Sequence, residues 1–201
     1  MKSTHKSFLA EGLLIVFSVL FALFINKLYE DGKIQHKKEI ALESIEKELY
    51  QNANIMKRWK ERHVAIRDRI SDVIEGRNDS LKQAIQTYQY LNLGLLTDNE
   101  ALINSILTNT AWESAKTTGI IAEFDFETTQ SLTHVYSMQE VLMDRTLAKI
   151  LDYYFDTQSH DMKQLDRILI QFQLRFWELT GQEVLMDQLY KQALEDVKNS
   201  L

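Results

Sequence analysis

Apolar and polar positions along this chain fall into two regimes. Residues 13–25 read LLIVFSVLFALFI, with eleven Leu, Ile, Val or Phe in thirteen positions and no charge. Further on, Leu42, Ile45, Leu49, Asn52, Met56, Trp59, His63, Ile66, Ile70 and Val73 are separated by alternating steps of three and four. The first regime predicts a helix too apolar for water. The second predicts an amphipathic helix with a seam facing other helices of this chain or copies of it. Between the two only Gly32 could interrupt a helix, so the apolar segment is expected to continue as one helix to Ile74 or Glu75.

Extending the apolar run to residues 8–29 gives 22 residues, about 33 Å at a rise of about 1.5 Å each, a match to a hydrocarbon core of about 30 Å. Each large apolar residue near a bilayer centre favours insertion by about 0.3–0.6 kcal/mol. Lys2, His5 and Lys6 lie in a basic tail at residues 1–7, and Lys27 and Tyr29 flank the other end. A cleavable signal peptide is the rival reading. No small-x-small pair follows the run, which passes through Asn26, Lys27 and Leu28 without a break, and this favours an uncleaved anchor. Glu11 is the one ionisable residue within the span. It either sits at headgroup level or, with Gly12, faces another membrane helix, where a protonated carboxyl could bond across an interface. Gly12 has no glycine four residues on, so the GxxxG pattern is absent.

Beyond the long helix, local signals predict several elements. Gly76 followed by Arg77, Asn78 and Asp79 reads as a helix stop and a turn. Ser80 with Gln83, Thr97 with Glu100, Thr110 with Glu113 and Thr180 with Glu183 resemble capping boxes, the first opening a helix to about Leu93. Residues 120–124 read as a short extended or looped piece, after which Asp125 caps a helix to about residue 156. A helix with Met162, Leu165, Leu169, Phe172, Phe176 and Leu179 on one face follows. The last carries Leu185, Leu189, Ala193 and Val197. The expected fold is all-α: an N-terminal transmembrane helix continuing into a long helix that packs in an antiparallel bundle formed by residues 30–201.

Composition supports this and removes several chemistries. There is no proline, and six glycines leave little punctuation for strands and tight turns. The absence of cysteine excludes disulfides, thiolate metal sites and a cysteine nucleophile. Residues 125–201 carry thirteen acids against seven bases, a poor match to nucleic-acid phosphates. The basic run Lys57, Arg58, Lys60, Arg62, Arg67 and Arg69 reads as a solvated helix face. No HExxH, GxSxG, phosphate-loop or dinucleotide pattern occurs, and no two histidines stand at metal-ligand spacing. Asp156, His160 and Asp161 suit capping at a helix junction better than a cation. Tyr153, Tyr154, Phe155, Phe172, Phe176 and Trp177 suit core packing better than a cofactor. No catalytic residue, metal or cofactor is expected.

The most distinctive segment is residues 112–119, in which Trp112 would dock on the bundle or form a recognition surface and Gly119 would allow a positive-φ stop. Three features together resemble an uncharacterised family of bacterial single-span proteins: the anchor followed by Asn26, Lys27, Leu28, Tyr29 and Glu30; the run Glu48, Leu49, Tyr50, Gln51 and Asn52; and residues 112–119. Tyr29 stands where that family carries tryptophan. The resemblance implies a bacterial membrane protein and no activity.

The functional expectation is a single-pass inner-membrane scaffold or interaction protein, self-associating or joined to another membrane protein. The alternative is a sensory or ligand-binding bundle acting through a partner, similar in outline to the extracytoplasmic domains of bacterial chemoreceptors. Counting Lys and Arg alone places the bundle in the cytoplasm, whereas the short, acid-free basic tail suits an exported, periplasmic bundle, which is the favoured orientation.

Overall fold

A computed structural model describes the backbone of residues 2–201 and the side chains from Glu11 onward, so the side chains of the basic tail, Lys2, His5 and Lys6, lie outside the described residues. Helix α1 runs Lys2–Ile74, 73 residues without interruption, or about 110 Å at the helical rise. It ends where expected. Gly76 adopts φ 71°, its N–H donates to the Val73 carbonyl (3.4 Å), and the Arg77 N–H donates to Asp72 (2.8 Å). This pair of bonds closes a helix around a left-handed glycine.

The chain then returns along α1 as an irregular limb: α2 (Asp79–Gln86), α3 (Gly94–Thr97), a helix-free run to residue 109, α4 (Thr110–Thr118) and one 3-10 turn (Ile120–Glu123). A third limb climbs beside α1 as α5 (Phe126–Glu140), a π-helical stretch (Val141–Leu147) and α6 (Ala148–Phe155). Two 3-10 turns, Thr157–His160 and Met162–Gln164, lead into α7 (Leu165–Ser200), which descends antiparallel to α1. Bonds from Gln173 to Ser71, Glu183 to His63 and Lys198 to Tyr50 fix that sense. The topology is up-down-up-down with a broken second limb, and no strand occurs among the described residues.

All ten seam positions from Leu42 to Val73 are at most 1% exposed. They share one core with Phe172, Phe176, Leu179, Met186, Tyr190, Ala193 and Val197 of α7 and Leu132, Val135 and Leu142 of the third limb, all buried. Each large side chain so buried stabilises the fold by about 1.5–3 kcal/mol. The seam is therefore consumed within the chain.

Several local expectations are corrected. Asn78, not Ser80, caps α2, its side chain accepting the Leu81 N–H (3.1 Å). The helix stops at Gln86 instead of running to about Leu93; Leu91 and Leu93 are both buried, whereas residues two apart on a helix face different ways. Thr97 closes α3 instead of opening a helix; Asp98 and Asn99 after it take left-handed φ values of 55° and 60°. Of residues 120–124, expected as a short extended or looped piece, Ile120–Glu123 form a 3-10 turn and only Phe124 is extended.

At Thr180 no break occurs. Its hydroxyl bonds back to the Phe176 carbonyl (2.8 Å), and Glu183 turns inward, so α7 is one 36-residue helix. A lone Gly181 costs about 1 kcal/mol in a helix, less than a single buried side chain returns. Register shifts accordingly: Met186 and Tyr190 are buried while Leu185 is 41% exposed. Phe155 and Trp177, expected in the core, are exposed.

Candidate functional site

An irregular limb must satisfy its backbone donors and acceptors by means other than a helical ladder. Side chains of α1 supply the partners. Asn52 grips Thr108 from both sides: its Nδ2 donates to the Thr108 carbonyl (2.6 Å) and its Oδ1 accepts the Thr108 N–H (3.0 Å). The same Nδ2 donates to Gln139 Oε1 (3.2 Å), which also accepts from the Tyr190 hydroxyl (2.7 Å). His63 Nε2 meets the Leu102 carbonyl (3.0 Å). Arg62 donates to the Ala101 carbonyl (2.6 Å) and pairs with Glu100. Arg69 donates to the Leu96 carbonyl (2.5 Å) and to Asp98 (2.6 Å). Part of the basic run thus clamps the second limb rather than facing solvent alone.

Glu48 caps α4 from another helix. Asn109, at the N-cap position, makes no side-chain bond to the helix. Instead Glu48 Oε2 accepts the Ala111 N–H (3.0 Å) and Oε1 lies 3.5 Å from the Trp112 nitrogen, placing a carboxylate at the positive end of the helix dipole. This replaces the expected box of Thr110 and Glu113. The Tyr136 hydroxyl donates to Glu48 Oε1 (2.7 Å). Burial first, and the Glu48 charge second, push that phenol's pKa up, so it remains a donor. The Trp112 and Tyr136 rings stack with centroids 5.6 Å apart and planes within 3°.

On the outer side of this cap lies a groove of about 790 Å³ between α1 and α4. Ile34, Lys37, Ile40 and Lys47 form its α1 wall, while Ala111, Ser114, Thr118 and Gly119 form the other. Its volume lies within the roughly 300–1,000 Å³ of small-molecule sites. The groove offers apolar contact, hydroxyls and two lysines. Its buried carboxylate, Glu48, is occupied with α4 and Tyr136.

Of the residues singled out in the sequence, Trp112 is 4% exposed and forms the bundle's packing. Gly119 ends α4 at φ 75° and opens onto the groove. Glu11 and Gly12 stand on the uncovered part of α1, far from the groove; no atom lies within 4 Å of a Cβ built at Gly12. Asp156 and Asp161 cap their turns through the Gln158 and Lys163 N–H groups. No cluster of three metal-ligating side chains occurs among the described residues. The bonding roles of Glu48, Tyr136 and Gln139 are not legible in the sequence because their partners lie 31 to 88 residues away.

No family model, curated protein or solved structure matches the chain. Fold and site define a class: an all-α antiparallel bundle with a broken second limb, raised on one helix whose apolar first part is uncovered.

Proposed function

We propose that the chain is a membrane-anchored helical scaffold. In this reading residues 8–29 cross the bacterial inner membrane once, and the bundle, held on the periplasmic side, presents the α1–α4 groove to another envelope protein. One observation carries it. The apolar window of α1 has mean hydropathy 2.0 and none of it is buried within the chain, although the same helix buries every seam residue further on. Leu13, Phe17 and Phe24 are 71, 69 and 57% exposed, and water is a poor solvent for so large a surface. Twelve residues separate Tyr29 from Leu42, the first fully buried position, so the buried core begins about 20 Å beyond the span at the helical rise.

Membrane fractionation tests the anchor: the full chain should resist carbonate extraction. Cross-linking and mass photometry of the detergent-solubilised chain test the scaffold reading, and a strictly monomeric particle with no co-purifying partner would sink it. The groove volume favours a second reading, a ligand-binding bundle acting through a partner. A small molecule that raises Tm saturably, with the shift abolished by Ser114→Trp in the groove wall, would decide for that reading.

A further inference from the structure

The face of α7 turned away from the bundle carries an apolar stripe that the chain leaves uncovered. Ile170, Leu174, Trp177, Val184 and Leu185 are 43, 57, 55, 50 and 41% exposed. Ile170, Leu174, Trp177, Gly181 and Val184 follow steps of four, three, four and three, the spacing of a helix-helix seam. Single apolar residues on a surface are unremarked, but a contiguous stripe marks a contact. The α1 seam, the sequence's own reason to expect self-association, is already filled by α7, so this second seam takes its place.

We propose that the stripe joins two copies of this chain, with their α7 helices parallel and in register about a two-fold axis running along them. In that arrangement each stripe residue meets its own symmetry mate, so the surface is self-complementary. Trp177 lies one turn from Gly181, where an added Cβ would meet nothing within 4 Å; this leaves room for the indoles at the centre.

The rims of the stripe select the parallel sense. On the α1 side, the Arg67 guanidinium lies 4.3 Å over Trp177, reaches Thr180 at 3.4 Å and contacts the exposed Asp68 at 2.7 Å. On the α6 side stands Glu178, which accepts from Gln182 (2.7 Å); Gln182 in turn accepts from Thr146 of the third limb (2.7 Å). A two-fold axis along the helices brings the α1 side of one copy against the α6 side of the other. Arg67 then meets the partner's Glu178 at the same height. An axis across the helices would instead oppose Arg67 to Arg67.

The parallel sense also rests on the proposed anchor, because two chains inserted in one membrane hold α1, and hence α7, in the same direction. Residues 167–188 of α7 span about 32 Å, and a helix is about 10–12 Å wide. The footprint is therefore a few hundred Å² per copy, below the roughly 800 Å² per partner of a standard interface. Such a contact is weak between free molecules and strengthened by confinement to one bilayer.

The chain contains no cysteine, which makes the test direct. Gln188→Cys, on the stripe's line but polar and exposed, is introduced into the full chain in native membranes and mildly oxidised. A disulfide-linked dimer is expected. Lys57→Cys, on an exposed face of α1, should remain monomeric, and adding Leu174→Glu to Gln188→Cys should cut cross-linking at least tenfold with the circular dichroism unchanged. Absence of the Gln188→Cys dimer in a chain that resists carbonate extraction overturns the dimer and leaves the anchor standing. A dimer formed by a chain that carbonate releases overturns the anchor and leaves the contact. Cross-linking only between Gln188→Cys and Arg167→Cys chains would show the antiparallel arrangement and overturn the proposal.

Discussion

His63 Nδ1 lies 2.5 Å from Glu183 Oε1, across 120 residues of chain, and neither side chain has any exposed surface. The other ring nitrogen meets the Leu102 carbonyl, which can only accept, so Nε2 donates. Nδ1 then either donates to a carboxylate or accepts from a carboxylic acid. Either way the pair holds one proton and no net charge. Glu183 Oε2 is buried without a partner, a costly state for a charged carboxylate and a cheaper one for the carbonyl oxygen of an acid. Burial raises the Glu183 pKa, with the opposing effects of His63 and then Lys60 smaller. The acid form, with its hydroxyl donating to Nδ1, satisfies both facts.

A pH dependence follows from that shared proton. An unfolded Glu183 would ionise near its ordinary 4.5. Above that pH the unfolded chain has released the proton that the native carboxyl, raised by burial, still keeps, so the native state binds more protons. Stability therefore falls as pH rises, by up to about 1.4 kcal/mol per unit, until the native carboxyl ionises. Glu183→Gln can still donate to Nδ1 but has no proton to lose. Urea unfolding from pH 5 to 9 should show the wild type losing ground to Glu183→Gln as pH rises. Parallel curves would remove the shared proton.

Removal of the cap provided by Glu48 should be more costly than loss of its tyrosine partner. Glu48→Ala strands the Ala111 and Trp112 N–H groups and the Tyr136 hydroxyl, and the expected loss is about 3 kcal/mol. Tyr136→Phe removes one hydrogen bond while keeping the stack on Trp112, for about 1 kcal/mol. Chemical denaturation of the two variants reads the ranking, and the reverse order would argue against the cap.

Asn52 pins the second limb, so its loss should loosen that limb selectively. Asn52→Leu keeps the volume in the core but leaves the Thr108 N–H without a partner and its carbonyl with only the Gln139 bond (3.3 Å), at a cost of about 2 kcal/mol. Hydrogen exchange should accelerate across residues 102–109 while the amides of α7 stay protected. Uniform acceleration over the whole bundle would mean that Asn52 supports global packing instead.

At the base of the bundle Asp125 caps α5 by accepting the Thr128 N–H (2.8 Å). The Ser200 hydroxyl, and then Thr128, hold its pKa down at about 2, below the ordinary 3.8. Its contribution is therefore present above pH 3.8 and lost as pH falls through about 2. The side chain is exposed, so solvent screening keeps the effect near 1 kcal/mol. Asp125→Ala should lose that much at neutral pH, and the difference from wild type should vanish in acid denaturation near pH 2.

The readable parts of this fold are those with a local cause. Gly76 and Gly119 both carry the left-handed φ that ends a helix, and Asp125 caps as its position suggests. The seam from Leu42 to Val73 was legible from spacing alone. The boxes at Ser80 and Thr110 lie where helices begin but do not supply the cap, and those at Thr97 and Thr180 mark no helix start, because a hydroxyl three residues before an acid or amide is only a local offer. At Thr110 the offer lost to Glu48, which bonds Ala111 across 63 residues of chain. At Thr180 it lost to the packing of α7 along the whole of α1. Of the two recognition candidates in residues 112–119, Gly119 lines the groove and Trp112 does not, and the α1 wall could not be assigned from the pattern.

By itself the sequence determined an uninterrupted helix from an uncovered apolar segment into a buried seam, because absent proline and the period of apolar residues act within a few turns. It also determined that the seam must be covered. Which surface covers it was decided only by the tertiary structure, since α7 of the same chain and a second copy would satisfy one heptad pattern equally well. With α7 in place, its outward stripe is left without a cover.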